Sequence, residues 1–457
     1  MTVNRFFVSA AIACALHFLA WANPPEELGV PLFTETAPAS PNWIENATIY
    51  ELNVRQFSES GTFTAVEQQL DRIQDLGIDV IWLMPIHPIG AINRKGPLGS
   101  YYSVADYRGI NPEFGDERSF HSLVDAIHDR GMKVIIDWVA NHTAWDHPWT
   151  KSNPDFYETD SQGSFVPPHG TDWTDVIQLD FQNKELWKIM KNEMLYWVSV
   201  YDIDGFRCDY AAGVPVDFWN DATMALREAK PDVYLLAEAE SPELNVESFH
   251  SSYAWPMHHV FNSIARGEEP ASKILDQLNR QTIYFPHDTH LLNFVTNHDE
   301  NSWNGTTAER MGPAKRAFEV LMFTLPGVPL IYNGQEAGLS KRLEFFERDP
   351  IDWSDLSESA FYKSLTTLKE TVPAMRSDAA FQRIPTTADE HIFAFRRTYG
   401  QSEVIVIANL TDRPVAFFSA SNSLHGIFQS FDSESVVTLS NPASLQLDAW
   451  QFKIFTR

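Results

Sequence analysis

Five stretches of the 457-residue chain repeat one grammar: an amphipathic helix, a Gly or Pro break, then a short apolar strand. AVEQQLDRIQDLGIDVIWLMPI sets Val66, Leu70 and Ile73 at helical spacing before a strand around Val80–Met84. SFHSLVDAIHDRGMKVIIDWV does the same and ends near Asp137, and three later stretches end at Asp209, near Glu238 and near Tyr332. Helices alternating with strands imply a parallel sheet with right-handed crossovers. Strands that read as continuous apolar runs are covered on both faces.

A doubly wound sheet and a closed (β/α)8 barrel both satisfy this pattern, and two features favour the barrel. Polar residues cluster at the C-terminal ends of many strands, where barrels build their sites. No Gly-rich phosphate loop follows the first strand, as a dinucleotide-binding sheet requires. TIYELNVRQF, from Ile49, reads as the first strand, the region near Ser251–Trp255 as the sixth, and LLNFVTNHDEN (291–301) as the seventh.

The barrel is predicted over 23–377. Its rhythm fails at about 141–184, a long insertion over the end of the third strand, and loops of that length are usually functional. Beyond it, HIFAFRRTYG and EVIVIANLTDRPVAFFSA alternate apolar and polar residues with turn residues between them. This predicts a C-terminal antiparallel β-sandwich over 378–457. Residues 1–22 carry one basic residue (Arg5), an apolar stretch and Ala20-Trp21-Ala22, the pattern of a secretory signal peptide. The run is short for a retained anchor, and a lipoprotein site at Cys14 is the weaker reading. The chain is therefore expected to be secreted or periplasmic, with no membrane attachment after cleavage. Only Cys208 would then remain, so no intrachain disulfide forms. Asp plus Glu outnumber Lys plus Arg by 61 to 34, a net charge of −27. That excess disfavours nucleic acid and anionic membranes and suits a neutral or cationic ligand.

Residues two apart on a strand share a face, so Arg207 and Asp209 in DGFRCDYAAG point together, away from Phe206 and Cys208. Alone, that pair reads equally well as a buried salt bridge. Asp137, Glu238 and Asp299 stand at three other strand ends, with His142 and His298 beside them. A single carboxylate there is often a helix cap, but the set converges on one rim if the sheet closes. Two carboxylates with opposed roles are what glycoside hydrolysis requires. An adjacent Arg favours the ionised form of one, while a less solvated one holds a proton. Metal-dependent hydrolysis is the rival, and neither HExxH nor a close His pair stands at these strand ends.

DWVANH (137–142), GFRCD (205–209), LLAEAE (235–240) and FVTNHD (294–299), in this order and spacing, resemble the four signature regions of glycoside hydrolase family 13, the α-amylase family. GSYYSVADYRGINPEFG (99–115) and GVPLIYNGQEAG (327–338) are similar to further segments of that family, and the likeness runs from about Ile49 to Trp353. The resemblance implies Asp209 as nucleophile, Glu238 as general acid/base and Asp299 as the third, transition-state-stabilising carboxylate. It implies that Arg207 holds the nucleophile, that His142 and His298 bind sugar hydroxyls, that Tyr102 is an aromatic platform, and that Asp137 is a buried structural aspartate. It further implies retention through a covalent glycosyl-enzyme.

The chain departs from well-known members at Tyr210, Ala212 and Gly213, just after the nucleophile position. Asn141 matches a calcium ligand of the family and Asp180 is a candidate partner; the chemistry itself needs no cofactor. The expectation is an exported retaining hydrolase of starch-derived α-glucans or maltooligosaccharides, with α-1,4 bonds the leading linkage. A glucanotransferase or isomerase of the same family and a non-catalytic, transporter-associated barrel are the alternatives. Of the Trp residues, Trp187 and Trp197 read as core, while Trp145, Trp149, Trp173 and Trp303 read as subsite walls. His87 reads equally as structural or functional.

Overall fold

A computed structural model describes residues 32–457, apart from 420–423, 432, 434, 441 and 442. The leader expectation, with Cys14, lies outside the described residues. Eight parallel strands close into a barrel in sequence order: β1 (Ile49–Leu52), β2 (Val80–Leu83), β3 (Lys133–Val139), β4 (Gly205–Asp209), β5 (Tyr234–Ala237), β6 (Ser251–Tyr253), β7 (His290–Asn293) and β8 (Val328–Tyr332). β1 pairs with both β2 and β8, which closes the ring.

Alternation along each strand splits the core in two. Ile49, Val80, Trp82, Ile135, Tyr234, Leu236, Leu292 and Leu330 fill the barrel interior. Tyr50, Leu52, Ile81, Leu83, Ile136, Phe206 and Cys208 face the surrounding helices instead. One close approach fixes the register of β4 against β5: a Cβ at Gly205 would sit 1.9 Å from the Tyr234 carbonyl oxygen. Only glycine allows that contact.

Between β3 and β4 the chain makes a two-stranded antiparallel ribbon, His142–Ala144 with Val176–Gln178. The ribbon grows directly out of the end of β3, so it stands over the barrel mouth. The C-terminal region forms a six-stranded antiparallel sheet and a two-stranded one, Val415–Phe418 with Ser444–Leu447. Ile392, Ile405, Ile407 and Phe428 of the larger sheet bury against Val415, Phe417 and Leu447 of the smaller. The opposite face of the larger sheet, with Phe393, Phe395, Val404 and Val406, joins the helical layer of the barrel. The buried Arg397 donates to the carbonyls of Thr324, Leu325, Ser377 and Ala379, tying that sheet to the end of the helix before β8 and to the chain leaving the last barrel helix. Among the described residues no helix is long and apolar enough to cross a membrane.

Candidate active site

The site grows from the inward parity of β4. Arg207 is fully buried, and its Nη1 donates to Oδ1 of Asp137 at 2.8 Å and to Oδ1 of Asp209 at 2.9 Å. Asp137 lies directly across on β3, where the register pairs it with Arg207. The guanidinium sits among the rings of Trp82, Tyr253 and Tyr102, 5.1 to 5.8 Å from their centroids. Its Nε donates to the Tyr253 hydroxyl at 3.2 Å. Burial alone would favour the neutral form, but Asp137 and Glu238 outweigh it and keep the group charged. A buried cation of this kind is tolerated only when it is paired.

Glu238 follows the last residue of β5. Its backbone N–H donates to the Cys208 carbonyl at 3.0 Å, which continues the β4–β5 ladder past the strand. Its Oε1 lies 2.8 Å from Nη2 of Arg207, an ion pair whose geometry falls short of a hydrogen bond. Its Oε2 accepts the backbone N–H of Tyr210 at 2.8 Å. Tyr210 makes that bond from a left-handed backbone, φ 42° and ψ 47°, a conformation that costs a non-glycine residue energy and collects at functional sites. Burial pushes the Glu238 carboxyl up to about 7, although Arg207 opposes the shift. Burial raises Asp209 to about 6, again against the pull of Arg207. The two groups share one cation, and Glu238 remains the better proton carrier.

Asp299 follows the FVTNH run after β7 and begins a single helical turn over Glu300–Asn304. Its side chain is 37% exposed and stands 3.4 Å from Nε2 of His298. His298 is buried and faces two residues besides: Glu51 Oε1 lies 2.5 Å from Nδ1, and the Tyr102 hydroxyl lies 2.8 Å from Nε2, with the Tyr102 ring stacked on the imidazole. The same hydroxyl donates to Asp137 at 3.1 Å. His142 starts the ribbon; its Nδ1 accepts from the Asn141 amide at 3.2 Å. Burial lowers its pKa to about 4, so the ring is neutral and carries its proton on Nε2.

Arg207, Asp209, Glu238, Asp299, His142, His298 and Tyr102 thus surround one barrel mouth. Glu51 escaped the sequence reading, although the parity argument applied to Arg207 also marks a carboxylate facing inward on TIYELN. Phe345 was missed as well: it stacks on Tyr102 at 6.3 Å and touches Trp303 at 5.3 Å. Trp303 is 44% exposed on the outer side of that row. Trp173 reaches His142 and Tyr210 from the insertion, at 5.5 and 5.4 Å. Trp149 instead packs with Tyr107, His147 and Phe156 as core of the insertion, and Trp145 packs down with its Nε1 on the Thr174 carbonyl. Trp197 is buried, Trp187 bonds the Phe181 carbonyl, and His87 is enclosed by Tyr107, Trp138 and Trp197, a structural position.

The candidate calcium ligands face protein partners. Oδ1 of Asn141 accepts from Gln178 Nε2 at 3.1 Å, and Asn141 donates back to Gln178 at 3.3 Å. Oδ1 of Asp180 accepts the Gln182 backbone N–H at 2.9 Å. Among the described residues no group of three His, Cys, Asp or Glu side chains is arranged to hold a metal ion.

The family model described as "Alpha amylase, catalytic domain" matches residues 41–172 and 170–386. The chain is 29% identical to α-amylase MalA of Haloarcula japonica over 395 residues, which is 82% of this chain and 57% of that longer protein. It superposes on the crystal structure of an α-amylase from Lactobacillus plantarum with a TM-score of 0.81 at 31% identity, covering 91% of this chain and 99% of that one. For the maltogenic α-amylase AmyB from Thermotoga neapolitana the TM-score is 0.83 at 26% identity, with 91% and 99% covered.

Proposed function

The chain belongs to the α-amylase family of glycoside hydrolases, and from that premise we propose a retaining attack on α-glucosidic bonds of maltooligosaccharides or starch-derived glucans, chiefly α-1,4. One observation carries the stereochemical part. A single guanidinium, that of Arg207, lies within 2.8 to 2.9 Å of both Asp209 and Glu238. Carboxyl groups that share one planar cation are drawn toward each other, which favours a retaining pair over one held apart by an intervening water.

In this reading Asp209, ionised beside Arg207, attacks the anomeric carbon while Glu238 gives its proton to the departing oxygen. Glu238 then takes a proton from water as that water opens the glycosyl-enzyme. Asp299 and His298 face hydroxyls of the reacting sugar, where hydrogen bonds that tighten in the transition state add to the rate. His142 lines the same subsite, and Tyr102 offers its face to the ring. The test is to follow the anomeric proton of the first reducing sugar released from maltotriose. The α-anomer is expected, and initial release of the β-anomer overturns retention. Chromatography of the same mixture distinguishes hydrolysis from transfer, because longer or rearranged sugars accumulate only if sugars compete with water.

The leader-like residues 1–22 support a further proposal, export to the periplasm or medium. N-terminal sequencing of protein recovered outside the cytoplasm should start near Asn23. Recovery of only the uncleaved cytoplasmic chain overturns it.

A further inference from the structure

We infer that Glu51 is a positioning residue of the active site, acting through His298 to keep its imidazole doubly protonated with Nε2–H turned toward the cleft. The inference rests on the glycosidase reading of the site but concerns a residue on the opposite wall from Arg207. Glu51 is the inward residue of β1, flanked in register by Trp82 on β2 and Tyr332 on β8, and is fully buried. Its Oε1 meets His298 Nδ1 at 2.5 Å, while Oε2 has no hydrogen-bond partner among the described residues. Among the described residues, His298 is thus the only side chain bonded to this carboxylate. A buried carboxylate with a single partner favours a charged partner strongly.

The groups facing His298 come from every side of the mouth. They are Glu51 on β1, Tyr102 from the loop after β2, Asp137 on β3, Arg207 on β4 and Asp299 beside it. The rings of Trp82 and Phe345 complete the shell. Burial and Arg207 oppose the imidazolium, but Asp299 and Glu51 outweigh them and raise the pKa to about 9. With Nδ1–H committed to Glu51, Nε2–H is left for Tyr102, Asp299 and an incoming hydroxyl. A neutral ring could not donate at both nitrogens.

The test uses E51Q, which keeps an acceptor for Nδ1 but removes the charge. In histidine-labelled protein, the resonance missing from H298Q identifies His298. Its titration midpoint should fall by at least about one pH unit in E51Q. An unchanged midpoint overturns the inference, and because this measurement needs no substrate it stands apart from any failure of the proposed reaction. In kinetics, E51Q should lower kcat/KM on maltooligosaccharide by about tenfold. The same substitution in an H298Q background should have no further effect. An equal loss in both backgrounds shows that Glu51 acts through the scaffold instead and also overturns the inference.

Discussion

The backbone N–H of Tyr210 donates to Oε2 of Glu238 at 2.8 Å, so the residue after one proposed catalytic carboxylate holds the other. β4 and β5 are adjacent parallel strands, and their ladder continues one residue beyond the strands through Glu238 and Cys208. The left-handed backbone at Tyr210 turns its N–H back toward Glu238. The spacing of the two carboxylates is therefore set by backbone rather than by flexible side chains.

Asp209→Asn should lower kcat/KM on maltooligosaccharides by about 10⁴-fold or more, the range for loss of a nucleophile-type group. The variant should still fold. Asp209 has a folded pKa of about 6, above its ordinary value, so its contribution to stability is lost as pH rises through about 6. The neutral amide escapes that loss, and the variant should melt no lower than the parent at pH 8. Scanning calorimetry beside the kinetics checks both; comparable turnover sinks the assignment.

The pH profile follows from burial of the two carboxyls, which raises both against the pull of Arg207. Activity requires Asp209 ionised, which develops as pH rises through about 6, and Glu238 protonated, which is lost as pH rises through about 7. A narrow bell in kcat/KM is expected, its limbs belonging to the coupled pair. Glu238→Gln should abolish the alkaline limb and nearly all turnover of maltotriose. It should retain a burst of leaving group from an activated α-glucosyl substrate, because that departure needs no proton.

The row formed by Tyr102, Phe345 and Trp303 gives a sugar a continuous aromatic wall leading out of the mouth. Trp303 packs on Phe345 and Phe346 but is largely open to solvent, so its loss should hardly affect stability. Trp303→Ala should raise KM for maltohexaose about fivefold with kcat nearly unchanged, as removal of roughly 1 kcal/mol of ring contact would. Maltose should show a smaller effect. Steady-state kinetics against chain length reads this directly.

The insertion is held to the end of β3 by reciprocal amide bonds between Asn141 and Gln178, with Gln178 also reaching the carbonyls of Asn141 and Leu179. Gln178→Ala leaves those buried acceptors unpaired at a cost of about 1–3 kcal/mol. It should lower the melting temperature by a few degrees and weaken substrate binding through His142. Dialysis against a chelator should change neither melting temperature nor activity. A large chelator effect would mean that a cation displaces the Asn141–Gln178 pair.

The barrel was legible because its strands are covered on both faces, and continuous apolar runs bounded by Gly or Pro mark such strands in any linear reading. Arg207, Asp209, Glu238 and Asp299 were legible for the converse reason: ionisable groups at the ends of those runs have no place in a simple core. Inward parity alone selected Arg207 with Asp209. Parity would have selected Glu51 too, but a lone carboxylate inside a first strand gains meaning only from what stands opposite it. His298 lies 247 positions away along the chain, and only closure of β8 onto β1 brings the two ends of the barrel together. Trp149 and Trp303 have equal standing as aromatic residues in loops, yet one is enclosed by Tyr107 and Phe156 and the other looks into solvent. Residue type and strand period therefore determined which groups reach the mouth. Ring closure, by setting which charges share a dry space, decided how each is paired and which carries a proton.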